Sequence, residues 1–240
     1  ANVRLAGNLT VTGITSDDEA NASTAYSTGA TTGATNVTLT ASDGTWSVAA
    51  SALNADISSS IKYAGALTVT GISTEPSVST TYSKTNTGAS SVALEASDGT
   101  WSVETGALNT DLGNDFKYLG DLTVTGISNE TTAVTDYTTA KTGATTNTLT
   151  ATDNNWSIAV STLDTALTAG VRLAGNLTVT SIADGDETAA LTNYTTAKTG
   201  ATTNTLTATD TNWSVIASTL DTALAAQVRL ADNLTVTGIT

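Results

Sequence analysis

The chain lacks the residues on which most catalytic and zinc sites depend. Its 240 residues include no Cys, no His and no Met, and its single proline is Pro76. Without Cys or His there is no thiolate nucleophile, no imidazole base and neither of the two commonest zinc ligands. Ser–His–Asp and Cys–His triads are therefore excluded. Carboxylate chemistry and the binding of hard metal ions remain open to this composition.

Basic residues are also scarce, with 8 Lys and Arg against 22 Asp and Glu and a net charge of −14. Such a chain repels phosphate backbones, so we expect no nucleic-acid partner. No apolar run reaches the roughly 18 residues needed to cross a bilayer, so we expect no membrane insertion. Since no disulfide can form, packing, repetition or bound ions must stabilise the fold. This combination favours an extracellular, cell-surface protein of bacterial or archaeal type.

What the chain does have is a repeat of about 55 residues. Four tryptophans follow one another at intervals of 55, 55 and 57 residues, in the phrases DGTWSV, DGTWSV, DNNWSI and DTNWSV. Tyr26, Tyr82, Tyr137 and Tyr194 keep the same step, and so does the phrase LTVTGI. Self-similarity at a fixed period is typical of arrays of supersecondary units. The predicted repeats are 1–60, 61–115, 116–170 and 171–227, with the start of a fifth at 228–240.

The two ends of the chain carry nearly the same segment. Residues 3–15 read VRLAGNLTVTGIT and residues 228–240 read VRLADNLTVTGIT. The terminal unit of a repeat array usually carries an atypical, polar cap, and neither end has one. This pattern predicts an excerpt of a longer array, or a chain whose ends meet those of its neighbours.

Within one repeat the patterns predict mainly strands. Leu122 and Val124 alternate with Thr123 and Thr125, the period-2 signal of a half-buried strand. The pairs Asp43-Gly44 and Asp98-Gly99 predict hairpin turns. Gly126 predicts a bend or bulge, and the segment NETTAVTD after LTVTGI predicts a polar loop.

The last part of each repeat has a different period. Leu163 and Leu167 are four residues apart, which is helical spacing. Ser161 is a candidate N-cap, with Asp164 three residues later as in a capping box. We therefore predict short helices at 51–60, 106–114, 161–170 and 218–227.

The phrase DGTWSV, followed by small residues and an L-x-x-x-L segment, resembles the tandem Ig-like β-sandwich repeats of giant bacterial surface proteins. The resemblance is best over Asp43 to Ile57 and Asp98 to Leu112, and the later copies keep Asp153, Trp156, Asp210 and Trp213. It implies adhesins or surface-layer-like proteins, often exported without a cleaved N-terminal signal and often stabilised by calcium.

A full seven-strand Ig sandwich needs about 100 residues, which is more than one period provides. The predicted fold is therefore all-β with short helical turns, a tandem array of four small β-sandwich-like repeats of about 55 residues.

Two sets of residues are candidate sites. Trp46, Trp101, Trp156 and Trp213 follow a turn and alternate with Val or Ile, so we predict core anchors rather than platforms for stacking sugars. The longer loops after LTVTGI are acidic, and their carboxylates could bind calcium as the only expected cofactor; the alternative is a solvated acidic surface. The candidate ligands are Asp17, Asp18, Glu19, Asp184, Asp186 and Glu187.

The favoured function is structural: a surface filament, sheath, surface layer or adhesin stalk, with copies of itself or further repeats as partners. Asp43, Asp98, Asp153 and Asp210 recur in turns, where they would bond to their own backbone, so we predict no enzymatic activity. The alternative is a carbohydrate- or ice-binding module, the latter through Thr-x-Thr pairs such as Thr68 and Thr70. A closed four-bladed propeller is a third arrangement, and the fifth repeat start argues against it.

Overall fold

A computed structural model of the chain describes residues 3–29, 31–73, 75, 78–114 and 116–240. The strands are β1 (Asn8–Ile14), β2 (Asn36–Ala49), β3 (Ile61–Ile72), β4 (Ser91–Glu104), β5 (Phe116–Ile127), β6 (Thr146–Ala159), β7 (Val171–Ile182), β8 (Thr203–Ala208), β9 (Asn212–Ile216), β10 (Val228–Leu230) and β11 (Asn233–Thr237). The α-helices are α1 (Glu19–Ala25), α2 (Ala50–Ser58), α3 (Val78–Thr81), α4 (Lys84–Thr87), α5 (Thr105–Gly113), α6 (Glu130–Asp136), α7 (Thr139–Thr142), α8 (Val160–Thr168), α9 (Glu187–Asn193), α10 (Thr196–Thr199) and α11 (Ala217–Ala225). A single 3-10 turn, Ser16–Asp18, precedes α1.

The chain divides into two compact units, Ala1–Gly120 with Thr142–Ala144, and Asp121–Lys141 with Thr145–Thr240. In the first unit the sheet order is β1-β2-β3-β4, and in the second it is β5-β6-β7-β8-β10, with β9 paired to β11. Every strand pair whose register is described is parallel. From β1 to β4 and from β5 to β8 successive strands are neighbours, and a helix lies in each of their connections, whereas short turns join β8 to β9 and β10 to β11.

The protein is thus an α/β fold built on parallel sheet, and the predicted all-β array of β-sandwich-like, Ig-like repeats is wrong. Parallel neighbours require a crossover between them, and the crossovers here are helical. The segment predicted as a polar loop, NETTAVTD, supplies one of these crossovers, because Glu130–Asp136 forms α6. Alternation of apolar and polar residues identified the strands but carries no information about strand direction.

The predicted hairpin at Asp43-Gly44 is also wrong, because this dipeptide lies inside β2. Thr40 pairs with Ala64 and Thr45 with Ala66, so four residues of β2 face the single residue Gly65 of β3. The chain bulges out there and then continues in its original direction. Gly44 has φ +76, a conformation that serves a bulge as well as a hairpin turn.

The four predicted short helices are confirmed, with starts one residue earlier, as α2, α5, α8 and α11. The predicted capping box is wrong. The residue that caps α8 is Ala159, which is extended and makes no side-chain cap bond, because the strand runs directly into the helix. Ser161 lies within the helix, and its carbonyl accepts a hydrogen bond from Thr165 Oγ1 at 3.1 Å.

Two strand types alternate along the chain. We call β2, β4, β6 and the broken strand β8/β9 the tryptophan strands, and β1, β3, β5, β7 and the broken strand β10/β11 the LTVT strands. Residues 37–40 of β2 pair with 61–64 of β3, and 45–49 with 66–70. The second half of β3 also pairs, through 66–69, with 91–94 of β4. Each inner LTVT strand of known register is therefore hydrogen-bonded on both edges along its second half.

The core lies on one face of each sheet. Leu67 and Val69 of β3 are fully buried, whereas Thr68 and Thr70 between them are half-buried. The same alternation recurs at Leu177 with Val179 in β7. The apolar face is covered by the nine-residue helices, which bury Leu53, Leu108, Leu163 and Leu220. The opposite face presents Thr and Ser.

Candidate assembly interface

The tryptophans are buried and make the same hydrogen bond in all four repeats. Each is buried, with 1–2 % of its surface exposed. Each indole Nε1 donates to a backbone carbonyl 18 residues ahead, on the next LTVT strand. The acceptors are Ala64 at 3.0 Å, Leu119 at 3.0 Å, Ala174 at 2.9 Å and Ala231 at 2.9 Å. A ring buried in this way joins two strands through both packing and a hydrogen bond, and it offers no face to a sugar.

In the first three of these contacts the accepting carbonyl precedes a glycine, and in the fourth it precedes Asp232. Gly65, Gly120 and Gly175 have φ between +97 and +108. A Cβ on Gly65 would lie 2.2 Å from the carbonyl oxygen of Gly44, in the bulge of the preceding strand. At Gly120 the distance to the oxygen of Gly99 would be 2.3 Å. The bulge of each tryptophan strand therefore packs directly on the backbone of the next LTVT strand.

The repeated aspartates shape these bulges. Asp43 Oδ1 accepts from the backbone N–H of Thr45 at 2.9 Å, and Asp98 does the same with Thr100 at 3.0 Å. These backbone donors hold the pKa of both exposed carboxyls below the ordinary value. Asp153 and Asp210 make the same bond. The four aspartates thus bond to their own backbone, as the sequence predicted.

The acidic segments contain one glutamate with a structural role. Glu19 Oε2 accepts from the backbone N–H of Ser47 at 2.9 Å, and Glu187 Oε2 accepts from Ser214 at 2.8 Å. In the third repeat Glu130 Oε2 accepts from Ser157 at 2.6 Å. This N–H lies just after the tryptophan, on the strand edge away from the next LTVT strand. The carboxylate occupies an edge position that would otherwise be open to another strand.

The other candidate calcium ligands lie apart from this bond. Asp17, Asp18, Asp184 and Asp186 are exposed, and Asp18 Oδ2 accepts from Thr15 Oγ1 at 3.1 Å. Within the described part of the chain, no three acidic side chains come close enough to hold a metal ion. Calcium binding by these loops stays a prediction, and Glu19 and Glu187 already have a partner.

A buried polar pair, which the sequence analysis missed, distinguishes the first two repeats from the last two. The Tyr63 hydroxyl donates to Asp56, and the Tyr118 hydroxyl donates to Asp111. All four side chains are buried, and each tyrosine ring meets its tryptophan edge-on with centroids 4.9 Å apart. The equivalent residues in the later repeats are Ala166 with Leu173 and Ala223 with Leu230. A comparison of aligned repeats would have revealed this joint change.

The later repeats have a polar core residue of their own. Asn147 is fully buried and its Nδ2 donates to the Tyr137 carbonyl at 2.5 Å. Asn204 makes the same bond to Tyr194, and its Oδ1 accepts from Thr199 Oγ1 at 3.0 Å. The first two repeats have Val at this position. Each pair of repeats therefore has its own buried hydrogen-bonding pattern.

Repeat-locked basic residues lie at the ends of the short helices rather than around a ligand cleft. Lys62 Nζ donates to the carbonyls of Thr85, at 3.3 Å, and Asn86, in the last turn of α4. The stem of Lys62 packs on Gly88, the left-handed residue that ends this helix. Arg172 packs on Gly200 in the same way. A cation at a helix C-terminus is stabilised by the unpaired carbonyls.

Small clefts recur at one position of the repeat. Each has a volume of about 220–290 Å³ and lies between the end of an LTVT strand and the helix before a repeated tyrosine. In one of them Tyr194 donates to Asp164 Oδ1 at 2.5 Å. Burial, followed by the nearby Asp164 carboxylate, raises the pKa of Tyr194. Recurrence in several repeats distinguishes these clefts from a single active site.

The terminal segments expose residues that inner repeats bury. Leu234 is 42 % exposed, whereas Leu67, Leu122 and Leu177 at the same position are 1 % exposed. Ile239 is 76 % exposed and corresponds to the buried Ile72. At the other end Val3 is 83 % exposed and corresponds to the buried Ile61. Among the described residues β1 pairs only with β2, and β11 only with β9. Both segments therefore present an open strand edge beside exposed apolar side chains.

Comparison of the chain with protein-family models, with curated proteins and with solved structures found no match. No α-helix of the described residues combines the length and the apolar character needed to cross a membrane. The geometry of the repeat is therefore the basis for a functional proposal.

Proposed function

We propose that this chain is an extracellular structural repeat protein that builds a surface filament, sheath, surface layer or adhesin stalk through packing of each repeat on the next. The observation that carries the proposal is the tryptophan contact, which joins a tryptophan strand to the following LTVT strand in all four repeats with the same bond. A site for chemistry needs one copy of its residues, whereas a load-bearing array needs one contact per repeat.

Nearest-neighbour packing supports this proposal. In the first unit β2 and β3, and in the second unit β6 and β7, each pair with the strands before and after them in the chain, so the addition of repeats extends the same interface. The acidic surface disfavours nucleic acid and anionic membranes as partners. Further repeats of the same kind, in the same chain or in a second copy, are the partners that fit the exposed ends.

Insertion of a repeat tests this directly. A second copy of residues 116–170, placed after Gly170, should fold, leave the melting temperature unchanged or higher, and lengthen the particle in small-angle X-ray scattering. The matched control inserts the same residues in scrambled order and should lower the melting temperature. Unfolding caused by the native insertion, or a folded particle of unchanged length, would show that the repeats are not an extendable array.

The location needs its own experiment. Antibodies against the purified chain should label intact source cells, and protease added outside should remove the label. Labelling that requires permeabilised cells would refute a surface role.

A second candidate is binding to a flat, regular surface such as ice, and it has one supporting observation. The parallel strands place Thr-x-Thr pairs side by side on the face away from the helices: Thr123 pairs with Thr148, and Thr178 with Thr205. Neighbouring strands in such a sheet lie roughly 4.8 Å apart. Ice crystals grown with the protein should then be faceted, and T123K and T178K variants should lose the effect. Unmodified crystal growth with the native chain excludes this candidate.

A further inference from the structure

An inner LTVT strand contacts the tryptophan strand before it and the tryptophan strand after it. Segment 3–15 makes only the second kind of contact among its described bonds, and segment 228–240 only the first. We call them the entry segment and the exit segment. They differ only at Gly7 and Asp232, and both of these residues have positive φ, +88 and +72. The same sequence therefore occupies two positions with different neighbours.

The described bonds of the entry segment go to residues that follow it in the first repeat. Residues 8–11 pair with 36–39 of β2. The backbone N–H of Leu5 donates to the Thr32 carbonyl at 2.8 Å, and the Gly7 carbonyl accepts from Thr35 at 2.7 Å. These bonds are all downstream contacts of an LTVT strand.

The exit segment contacts only the repeat that precedes it. Val228 to Leu230 pair with residues 204–206 of β8, and Asn233–Thr237 pairs with Asn212–Ile216 of β9. The Ala231 carbonyl accepts from the indole of Trp213 at 2.9 Å. These bonds are all upstream contacts.

The inner strand β7 makes the upstream and the downstream contacts at once. β7 pairs with β6 through residues 171–174 and 176–180, which are the upstream contacts. It pairs with β8 through 176–179, and its Gly175 carbonyl accepts from Thr202 at 2.7 Å, which are the downstream contacts. A single LTVT segment can therefore hold a tryptophan strand on each side in the native register.

We propose that the exit segment of one copy replaces the entry segment of a second copy, so that residues 233–236 pair with 36–39 and chains join head to tail. The proposal rests on the proposed structural function and names the partner as a second copy of this chain. The joint would repeat the β7–β8 interface, and it would cover Leu234 and Ile239 as their counterparts are covered in inner repeats. The displaced entry segment is weakly held, since β1 is paired on one edge and Val3 is exposed.

Cysteine cross-linking tests the register in the full chain, which has no native Cys. Thr10 pairs with Thr38 in β1 and β2, and Thr235 is the equivalent of Thr10 in the exit segment. In the joined form Thr235 of one copy faces Thr38 of the next, at a spacing that a disulfide can bridge. Mild oxidation of the T38C/T235C variant should give a ladder of covalent dimers, trimers and longer products on a non-reducing gel.

Two controls keep the experiment decisive. T38C/V236C places the second thiol on the opposite face of the strand and should give at least fivefold less ladder. T10C/T38C should form an intrachain disulfide, which verifies that these positions oxidise in the folded protein. A tenfold excess of a peptide with the sequence of residues 228–240 should shorten the ladder, because it occupies the same edge of β2.

Each other outcome overturns the exchange. Oxidised T10C/T38C without any T38C/T235C ladder, a disulfide confined to monomers, equal ladders from both pairs, or a ladder unaffected by the peptide would each do so. Sedimentation of the unmodified chain separates this failure from that of the proposed function. Oligomers of the unmodified chain without a cross-linked ladder would show that the chain assembles through another surface. The repeat insertion described above tests the structural role independently.

Discussion

The hydroxyl of Tyr63 donates a hydrogen bond to the carboxylate of Asp56 in the core where the first and second repeats meet. Where the third and fourth repeats meet, Ala166 and Leu173 stand at the same two positions, and both are fully buried. Two solutions of the same packing problem, one polar and one apolar, therefore exist within one chain. They provide matched variants for measuring what the polar pair contributes.

The single and double replacements should differ sharply in stability. Tyr63→Leu removes one of the two side-chain hydrogen bonds to the buried Asp56 carboxylate and should lower the free energy of unfolding by about 3–5 kcal/mol. Asp56→Ala leaves a buried hydroxyl unpaired and should cost about 1–3 kcal/mol. The double variant copies the third repeat and should lie within about 1 kcal/mol of the native chain or above it. Urea denaturation of the three variants gives these values, and additive losses in the double variant would contradict the pairing.

The same pair predicts how stability depends on pH. Burial raises the pKa of Asp56 above its ordinary value of 3.8, although hydrogen bonds from Tyr63 and Ser23 oppose the shift. The folded chain then binds this proton more tightly than the unfolded chain, so stability falls as pH rises from below 3.8 through the raised pKa.

Burial and the Asp56 carboxylate also raise the pKa of Tyr63 above its ordinary value of 10. Above that pH only the unfolded chain releases the proton, so stability falls a second time. Urea midpoints measured between about pH 3 and pH 11 should show both declines, and both should be smaller in D56A/Y63L. Identical profiles for the two proteins would refute this account.

Trp156 is expected to be the main anchor of its repeat. Trp156→Ala removes a buried ring and leaves the Ala174 carbonyl without its donor, so unfolding should be easier by about 3–5 kcal/mol. Trp156→Phe keeps most of the apolar contact and loses the indole donor, so a smaller loss, of about 1–3 kcal/mol, is expected. Thermal melting monitored by circular dichroism measures both, and an unchanged melt for the alanine variant would exclude a core role.

Gly65 should not tolerate a side chain. Gly65→Ala places a Cβ 2.2 Å from the Gly44 carbonyl oxygen and strains a residue at φ +108, so a loss of about 3 kcal/mol or more is expected. The control is Gly71→Ala, which has φ +69 and no atom within 4 Å of the new Cβ. It should cost about 1 kcal/mol, since Ser181 already occupies the equivalent position at φ +67. Equal losses at the two glycines would refute the close packing of bulge and strand.

Glu130 should protect a strand edge. Glu130→Ala frees the Ser157 N–H, so we expect a loss of about 1 kcal/mol and faster aggregation as the edge becomes available to other chains. Glu130→Gln keeps an acceptor oxygen and should retain most of the stability. Light scattering during incubation near the melting temperature compares the rates, and equal aggregation of the alanine variant and the native chain would contradict the protective role.

The repeat period, the LTVTGI strands and the four nine-residue helices could be predicted, because each depends on patterns within one repeat. Strand direction could not. The Asp43-Gly44 dipeptide favours positive φ at glycine, which suits a hairpin and a bulge equally, and the choice depends on the contact with Gly65, 21 residues away. Gly126 was correctly predicted as a bulge, since it lies where the register of β5 and β6 shifts.

The structural role of Glu19, Glu130 and Glu187 was missed for a different reason, although Glu19 and Glu187 were predicted as calcium ligands. The excess of Asp in the longer loops suggested a metal site. The residue that binds the strand edge is instead the glutamate at constant spacing from the tyrosine. Glu19, Glu75, Glu130 and Glu187 each precede the repeated tyrosine by seven residues. Glu19, Glu130 and Glu187 bind backbone N–H groups, and a backbone partner cannot be recognised from residue types.

The difference between polar and apolar cores has a consequence for folding. Because the repeats are nearly identical, a strand of one repeat could pack on the helix of another repeat while the chain folds. If the strand carrying Tyr63 docked beside the helix carrying Ala166, the Tyr63 hydroxyl would be buried without an acceptor. The misassembled state would therefore be less stable than the native one. The polar cores of the first two repeats and the apolar cores of the last two therefore disfavour docking of a strand from one half of the chain on a helix from the other half.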